Sequence, residues 1–475
     1  MPKGELAQTV YRDNAAPTVM TTIVEQLTAY AEGLRYEDLP DDVIRTAKRV
    51  ITDSIGCALG GYDSAPERIA RDLAMMTSST RPGTVMVSGL KTSPDLATFT
   101  NGVMIRFLDF NDGYASKGES GHPSDSIAAV LSAAEINRRS GKDVITAIVL
   151  AYEIFCRICD EVDLKPIGYD HVTVGGMAST AAAGWLFGLR GRQFAHCMQL
   201  GIAPNNALYQ TRIGNVSMWK GCAYANASRN AVFAAMLAER GMTGPSPIFE
   251  GVGGYFKAVA RRTFALDELG GLDGAPFRIM QCFIKRFPLG QYSQTVVEAA
   301  IEMRKKISSP EEIAEIYIET VTTAIVLMAD APEKWEPANR ETADHSMPYT
   351  VAVALIHGDV QEKHFGDEFI NDPQIRALTR KIKAKASDAA DKQMPAAMRC
   401  YFKLVTKSGE THNTMVDHYR GHYLNPMSDG EIEAKFRGLA SGVLPESRVA
   451  RLLENLSKLE ELTDASEIPR LTLQA

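Results

Sequence analysis

Four stretches in the first half of the chain read as amphipathic or buried runs with alanine and glycine on several faces: SIAAVLSAAEINRRSG, VITAIVLAYEIFCRI, HVTVGGMASTAAAGWLFGL and WKGCAYANASRNAVFAAMLAERG. Their apolar residues recur in three- and four-residue steps, so each predicts a helix with at least one buried face. Small side chains let the backbones approach closely. Together these runs require a helical body large enough to hold them inside it. The run PDDVIRTAKRVITDSIGCALGG fits a covering helix. Ile44, Ala47, Val50, Ile51 and Ile55 mark its buried face, Pro40 and the next two aspartates its start, and Gly60 and Gly61 its stop. This body is expected to span residues 1–276.

After it the texture changes. EIAEIYIETV (312–321) alternates like a half-buried strand. RCYFKLVTKSG (399–409) and ETHNTMVDHY (410–419) do the same, and the KSG between them predicts a hairpin. SQTVVEAAIEMRKKI and ADHSMPYTVAVALIHG read as helices among these strands. Residues 277–418 therefore predict a smaller α+β unit, and 419–475 a helical tail packing back on the first body. The expected fold is mainly α with a smaller α+β domain, in keeping with the two or three domains a chain of 475 residues suggests.

A net charge of −7 argues against nucleic-acid binding, which usually needs a basic stripe. An anionic ligand would then need a local basic pocket to draw it in. The seven cysteines are odd in number and scattered through apolar runs, as in a reducing compartment. Cys156 and Cys159 have CxxC spacing but no second pair to complete a zinc site, and read as packed thiols. The first residues, MPKGELAQTVYRDNAAP, hold no apolar leader, and no apolar run reaches about 18 residues. A cytoplasmic protein without membrane spans is expected.

Residues 107–125, FLDFNDGYASKGESGHPSD, gather Asp109, Asp112, Glu119, His122 and Asp125. A calcium loop fails on spacing: from Asp109, Gly113 falls at position 5 and Ser120 at position 12. No HExxH occurs either. Asp109 and Asp112 follow the apolar run MIRFL, at the C-terminal end of a helix, where the dipole disfavours negative charge unless cations answer it. Pro123 holds His122 extended, and Ser124 or Asp125 is expected to cap the next helix. Elsewhere YDHVTVG places His171 before an apolar helix, and TRIGNVSMWKGCAYANASR carries Arg212, Lys220 and Arg229. IKRFPLGQYSQT carries Lys285, Arg286, Tyr292 and Gln294, and PANRETADHSMPYTVA carries Arg340, Glu341, His345 and Tyr349. His196 in QFAHCMQLG reads as a satisfied core group.

These segments, in this order, resemble the MmgE/PrpD family over nearly the whole chain. The resemblance rests on LDFND with GHPSD, DHVTVGGMAST, WKGCAYANASRNAV, GPSPIFEG, KRFPLGQYSQTVVEAA, RETADHSMPYTVAVAL and LNPMS. It implies a helical domain with an α+β lid, no metal or organic cofactor, and a homodimer acting on a small di- or tricarboxylate. It implies a lyase that dehydrates a 2-hydroxy tricarboxylate such as 2-methylcitrate. Decarboxylation of cis-aconitate and epimerisation of iminodisuccinate are the other family reactions, and a non-catalytic carboxylate binder is a further alternative. Residues matching Asp109, His122, His171, Lys220, Lys285 and Tyr349 are expected to line a basic cleft between the two domains. Gly113 stands where the family usually has Thr, and Tyr292 where the dehydratases have His. The segment YASKGES also departs, so substrate choice is expected to lie there.

Removing a proton or carbon dioxide next to a carboxylate builds negative charge, which fixed cations must stabilise. His122 and His171 are the expected acid/base pair, with Asp109 orienting one of them and Tyr349 donating from the lid. Lys220 is counted with this catalytic group. Lys285, Arg286, Tyr292, Gln294, Arg212 and His345 are expected to bind substrate.

Overall fold

A computed structural model describes residues 21–474. The amino-terminal stretch read above for a leader lies largely outside the described residues. The helical body is built on α1 (Asp41–Gly61), α2 (Pro94–Phe107), α3 (Ile127–Ile136), α4 (Gly141–Glu161), α5 (Val172–Leu186) and α6 (Trp219–Glu239). Every residue of α5 is buried, as its all-round apolar sequence requires. α2 and α6 cross where Gly102 meets Ala225: a Cβ on Gly102 would lie 2.8 Å from that of Ala225. A capping box from Ser140 and Asp143 starts α4, an arrangement that stabilises a helix by about 1 kcal/mol. Within α4, Cys156 and Cys159 are buried, and the Cys156 Sγ lies 3.8 Å from that of Cys282.

The second half contributes α7 (Gln294–Arg304), β1 (Ile313–Thr320), α8 (Met347–His357), β2 (Ile382–Ala386), β3 (Cys400–Thr406) and β4 (Thr411–Val416). The sheet runs β2-β1-β3-β4; β2 is parallel to β1, and the other neighbours are antiparallel. Ile313, Ile316, Ile318 and Thr320 form the buried side of β1. Gly409, with φ of 88°, makes the tight turn of the β3–β4 hairpin.

The apolar side chains gather into two large clusters. One joins the helices up to Ile279 with Phe436, Leu452 and Leu456 from α9 (Asp429–Ala440) and α10 (Glu446–Ser457). The other runs from Phe283 to Tyr419 around the sheet. The fold is thus mainly α with a smaller α+β part, and the carboxy-terminal helices return to the helical body. Among the described residues, no helix is long and apolar enough to cross a membrane.

The returning tail closes on the start of α4. Gly141 N donates to Leu462 O at 2.8 Å, and a Cβ on Gly141 would collide with the Leu459 carbonyl. Gly141→Ala should therefore cost about 1–3 kcal/mol, the range for overpacking, as measured by urea unfolding. An unchanged midpoint would mean that the tail does not pack there.

Candidate active site

At the end of α2 the chain turns through Leu108 into Asp109, whose φ of 51° lies in the left-handed region. That conformation costs an ordinary residue about 1–2 kcal/mol, so the surroundings must hold it. They do so through the carboxylate, which is fully buried. Arg106 Nη1 donates to Oδ1 at 2.6 Å, and Lys285 Nζ donates both to Oδ1 and to the backbone carbonyl, the latter at 2.9 Å. On the other oxygen, Lys220 Nζ and His345 Nε2 each lie 3.3 Å away. Lys220 also donates to both oxygens of Asp344, at 2.7 and 2.8 Å, and His345 Nδ1 lies 2.6 Å from Asp344 Oδ1. Burial alone would raise the Asp109 carboxyl, but Arg106, Lys285, Lys220 and His345 overturn it and hold the group well below the carboxylate range. Burial brings Lys285 down to about 8 even with Asp109 beside it.

The loop that follows is tied to the next helix. Asp112 Oδ1 accepts from Ser124 N at 3.1 Å, and Oδ2 accepts from the Tyr152 hydroxyl at 2.6 Å. Asn111 Nδ2 donates to Ser124 Oγ and to Asp125 Oδ1. The expected cap by Ser124 or Asp125 is therefore not made. Pro123–Ser126 forms a short 3-10 turn leading into α3, and the capping bond comes from Asp112 instead. With Asp109 engaged by cations and Asp112 by Tyr152 and Ser124, the DFND carboxylates do not converge on a common point.

Two histidines face each other beyond this loop, with ring centroids 5.6 Å apart and planes at 75°. His122 Nδ1 lies 2.7 Å from the Asp112 carbonyl. A carbonyl only accepts, so Nδ1 carries the hydrogen and Nε2 keeps a free lone pair. His171 Nδ1 lies 3.1 Å from Asp170 Oδ1, and its buried Nε2 has no partner among the described residues. Asp170 is held in turn by Arg212 Nε at 2.8 Å. Burial, with help from Arg106 and Lys285, keeps His122 well below its ordinary value. Burial lowers His171 to about 3, although Asp170 opposes it, and lowers His345 to about 4. Both facing imidazoles are neutral bases at neutral pH.

Arg106, His122, Lys165, Asp170, His171, Tyr209, Arg212, Gln291, Tyr292, Leu327, Met328 and His345 line one cavity between the two apolar clusters. Of the residues singled out from sequence, His122, His171, Arg212, Tyr292 and His345 are on its wall. Asp109, Lys220 and Lys285 sit behind that wall, joined to it through Arg106 and His345. Three others lie away from it. Tyr349 is buried in the lid, where its hydroxyl donates to His364 O at 2.5 Å. Gln294 Nε2 donates to Phe287 O at 2.9 Å and Leu289 O at 3.3 Å. Arg286 is exposed, with its guanidinium over the Phe287 ring. Arg106, Lys165, Asp170, Tyr209 and Asp344 are wall or network residues not anticipated. Arg106 and Asp109 stand three apart in sequence, the one spacing signal that could have found the pair.

The ligating atoms of Asp109, Asp344 and His345 come within 4.8 Å of one another, close enough to hold a metal ion. The Lys220 ammonium already contacts all three residues, at 3.3, 2.7 and 3.1 Å. A metal ion there would have to displace it.

Residues 25–266 match the MmgE/PrpD N-terminal domain, and residues 287–461 match the MmgE/PrpD C-terminal domain. The chain is 26% identical to a cis-aconitate decarboxylase of Mus musculus, covering 95% of this chain and 94% of that protein. It is also 26% identical to a 2-methylcitrate dehydratase of Escherichia coli K12, covering 90% and 93%. Against a 2-methylcitrate dehydratase of Cupriavidus necator it is 28% identical, covering 77% and 76%.

A depressed His171 makes the folded state hold fewer protons than the unfolded chain between about pH 3 and 6.5. Its contribution to stability is therefore present above pH 6.5 and is lost as pH falls through that window. Relative to His171→Asn, the wild type should lose stability on acidification below 6.5, at up to about 1.4 kcal/mol per pH unit. Urea unfolding of both proteins at pH 7.5, 6 and 5 reads this; parallel curves would mean that His171 titrates normally.

Proposed function

The chain belongs to the MmgE/PrpD family, and from that premise we propose that it is a lyase dehydrating a 2-hydroxy di- or tricarboxylate of the 2-methylcitrate kind. The observation that carries this reading is the pair of histidines presenting bare Nε2 atoms to one basic cavity. Dehydration needs two proton-transfer groups, one to take the proton beside a carboxylate and one to protonate the departing hydroxyl. A decarboxylation needs only a donor to the carbanion.

The two roles require different protonation states, and the surroundings separate them. Burial depresses both rings and Arg106 opposes a proton on each, but His171 Nδ1 faces the Asp170 carboxylate at 3.1 Å, whereas His122 Nδ1 faces a backbone carbonyl. When a polyanionic substrate enters, His171 is the first to be protonated and serves as the acid. His122 stays neutral and serves as the base. Its Nε2 takes the proton, the C–H electrons form the double bond, and the C–O bond breaks as His171 delivers its proton to give water. Arg106 and Arg212 stabilise the charge that develops on the carboxylate oxygens. No step calls on a metal or an organic cofactor.

The cavity has a volume of about 60 Å³, and Gln291, Tyr292, Leu327 and Met328 from the lid half form one side of it. The apolar Leu327 and Met328 side chains are what favour the second reading, a decarboxylase, because an apolar wall destabilises a carboxylate about to be lost. We further propose a cytoplasmic homodimer. Leu208, Met218, Trp219 and Phe233 are exposed on the helical body and support a self-associating face.

Incubation with 2-methylcitrate, citrate, cis-aconitate and iminodisuccinate, followed by NMR, separates the family reactions. A new conjugated double bond absorbing in the far ultraviolet is expected from 2-methylcitrate, whereas itaconate-type products from cis-aconitate would favour the decarboxylase. His122→Asn and His171→Asn should each lower kcat by about 10²–10⁴-fold. In deuterium oxide, His171→Asn should still exchange the substrate proton and His122→Asn should not; the reverse pattern would exchange the assigned roles. Binding should also take up close to one proton near pH 7, seen as a buffer-dependent calorimetric heat, and a heat independent of buffer would contradict the protonation of His171.

A further inference from the structure

Glu119 is fully buried in the loop between Gly113 and His122, and the chemistry above gives it no task. Backbone amides hold both of its oxygens: Ser120 N donates to Oε1 at 3.0 Å and Leu164 N to Oε2 at 3.3 Å. Its side-chain partner is the ammonium of Lys165. Lys165 begins the short turn Lys165–Ile167 that leads to His171, and it lines the cavity together with Tyr209 and Tyr292. A carboxylate clamped by two backbone amides is a fixed point, so it fixes the ammonium against one part of the wall. Burial would depress the Lys165 ammonium, but Glu119 overturns this and keeps it charged above its ordinary value.

Three cations line the cavity, and they differ in how accessible they are. The Arg106 side chain is 2% exposed and engaged with Asp109. That of Arg212 is 9% exposed and holds both oxygens of Asp170 as well as the Lys220 carbonyl. Lys165 is 21% exposed and, among the described residues, hydrogen-bonds to Glu119 alone, while an ammonium has three N–H donors. Its side chain is more open to solvent than the facing histidines, each 6% exposed, and Arg106.

We propose that Lys165 is the specificity residue of this cleft: it binds a substrate carboxylate remote from the reacting carbon, and Glu119 is its positioning residue. The proposal rests on the carboxylate reading above. It implies that the preferred substrate carries one carboxylate more than the inner arginines can hold, which places tricarboxylates ahead of dicarboxylates.

The probes are propane-1,2,3-tricarboxylate and glutarate, which differ by one carboxylate and do not react, with binding measured by calorimetry. Because Lys165→Met would strand a buried Glu119 charge, the main variant is the double substitution Lys165→Met with Glu119→Gln, beside Lys165→Arg. The wild type should bind the tricarboxylate at least about tenfold more tightly. The double variant should lose most of that preference with glutarate binding unchanged, and Lys165→Arg should keep it. Glu119→Gln alone should raise KM for the tricarboxylate substrate with kcat retained, which general loosening of the loop would not do. Equal loss for both probes in a folded double variant would overturn the Lys165 assignment and leave the carboxylate reading standing. A wild type that binds neither probe would overturn both.

Discussion

One buried carboxylate holds the site together. Asp109 sits in a strained backbone conformation at the end of a helix, where the dipole is unfavourable, and is answered by three cations and an imidazole. Arg106 and Lys220 come from the helical body, Lys285 from the segment entering the lid, and His345 from the lid itself. The same contacts that neutralise the charge thus join the two halves. Removing one member of such a buried cluster leaves another charge uncompensated, at a cost of about 3–5 kcal/mol. The arrangement is more an organising device than a source of net stability.

What this cluster does for chemistry follows from the cations it places near His122. Burial, reinforced by Arg106 and Lys285, keeps His122 neutral. Asp170, paired with Arg212, gives His171 a different environment on the other side of the cavity. Two imidazoles that would titrate alike in water are set apart by their neighbours. The overall charge of −7 would repel an anion weakly, and the cationic wall provides the local exception that draws one in.

The large-scale fold was legible because its signals are periodic. The all-round apolar helices and the alternating β1, β3 and β4 patterns each point to one packing solution. β2 was missed because IKAKA buries one residue, Ile382, and otherwise shows lysines and alanines at an exposed edge. In the site, His122 and His171 stood out as polar residues held at the start of apolar helices. Tyr349 shows the limit of spacing arguments. It lies four residues after His345, which on a continuous helix would put both on one face. The helix begins only at Met347, so His345 points to the cavity and Tyr349 into the lid core. Arg106 was hidden inside the apolar run MIRFL, and its role depends on partners that come together only in the fold. Gly113 gains a local reason as well: a Cβ there would lie 2.5 Å from the Phe283 ring and 2.9 Å from Gln291 Oε1, so a larger residue requires that wall to be rebuilt.

The protonation state of the facing histidines decides whether this electrostatic account is right. Imidazole ¹⁵N NMR of the protein with labelled histidine, recorded without ligand from pH 8 to 5.5 and assigned with His122→Asn and His171→Asn, measures it directly. Both rings should remain neutral across that range, with the hydrogen on Nδ1 and an unprotonated Nε2. An imidazolium signal from either ring titrating near pH 6.5, or a hydrogen on Nε2, would contradict the account.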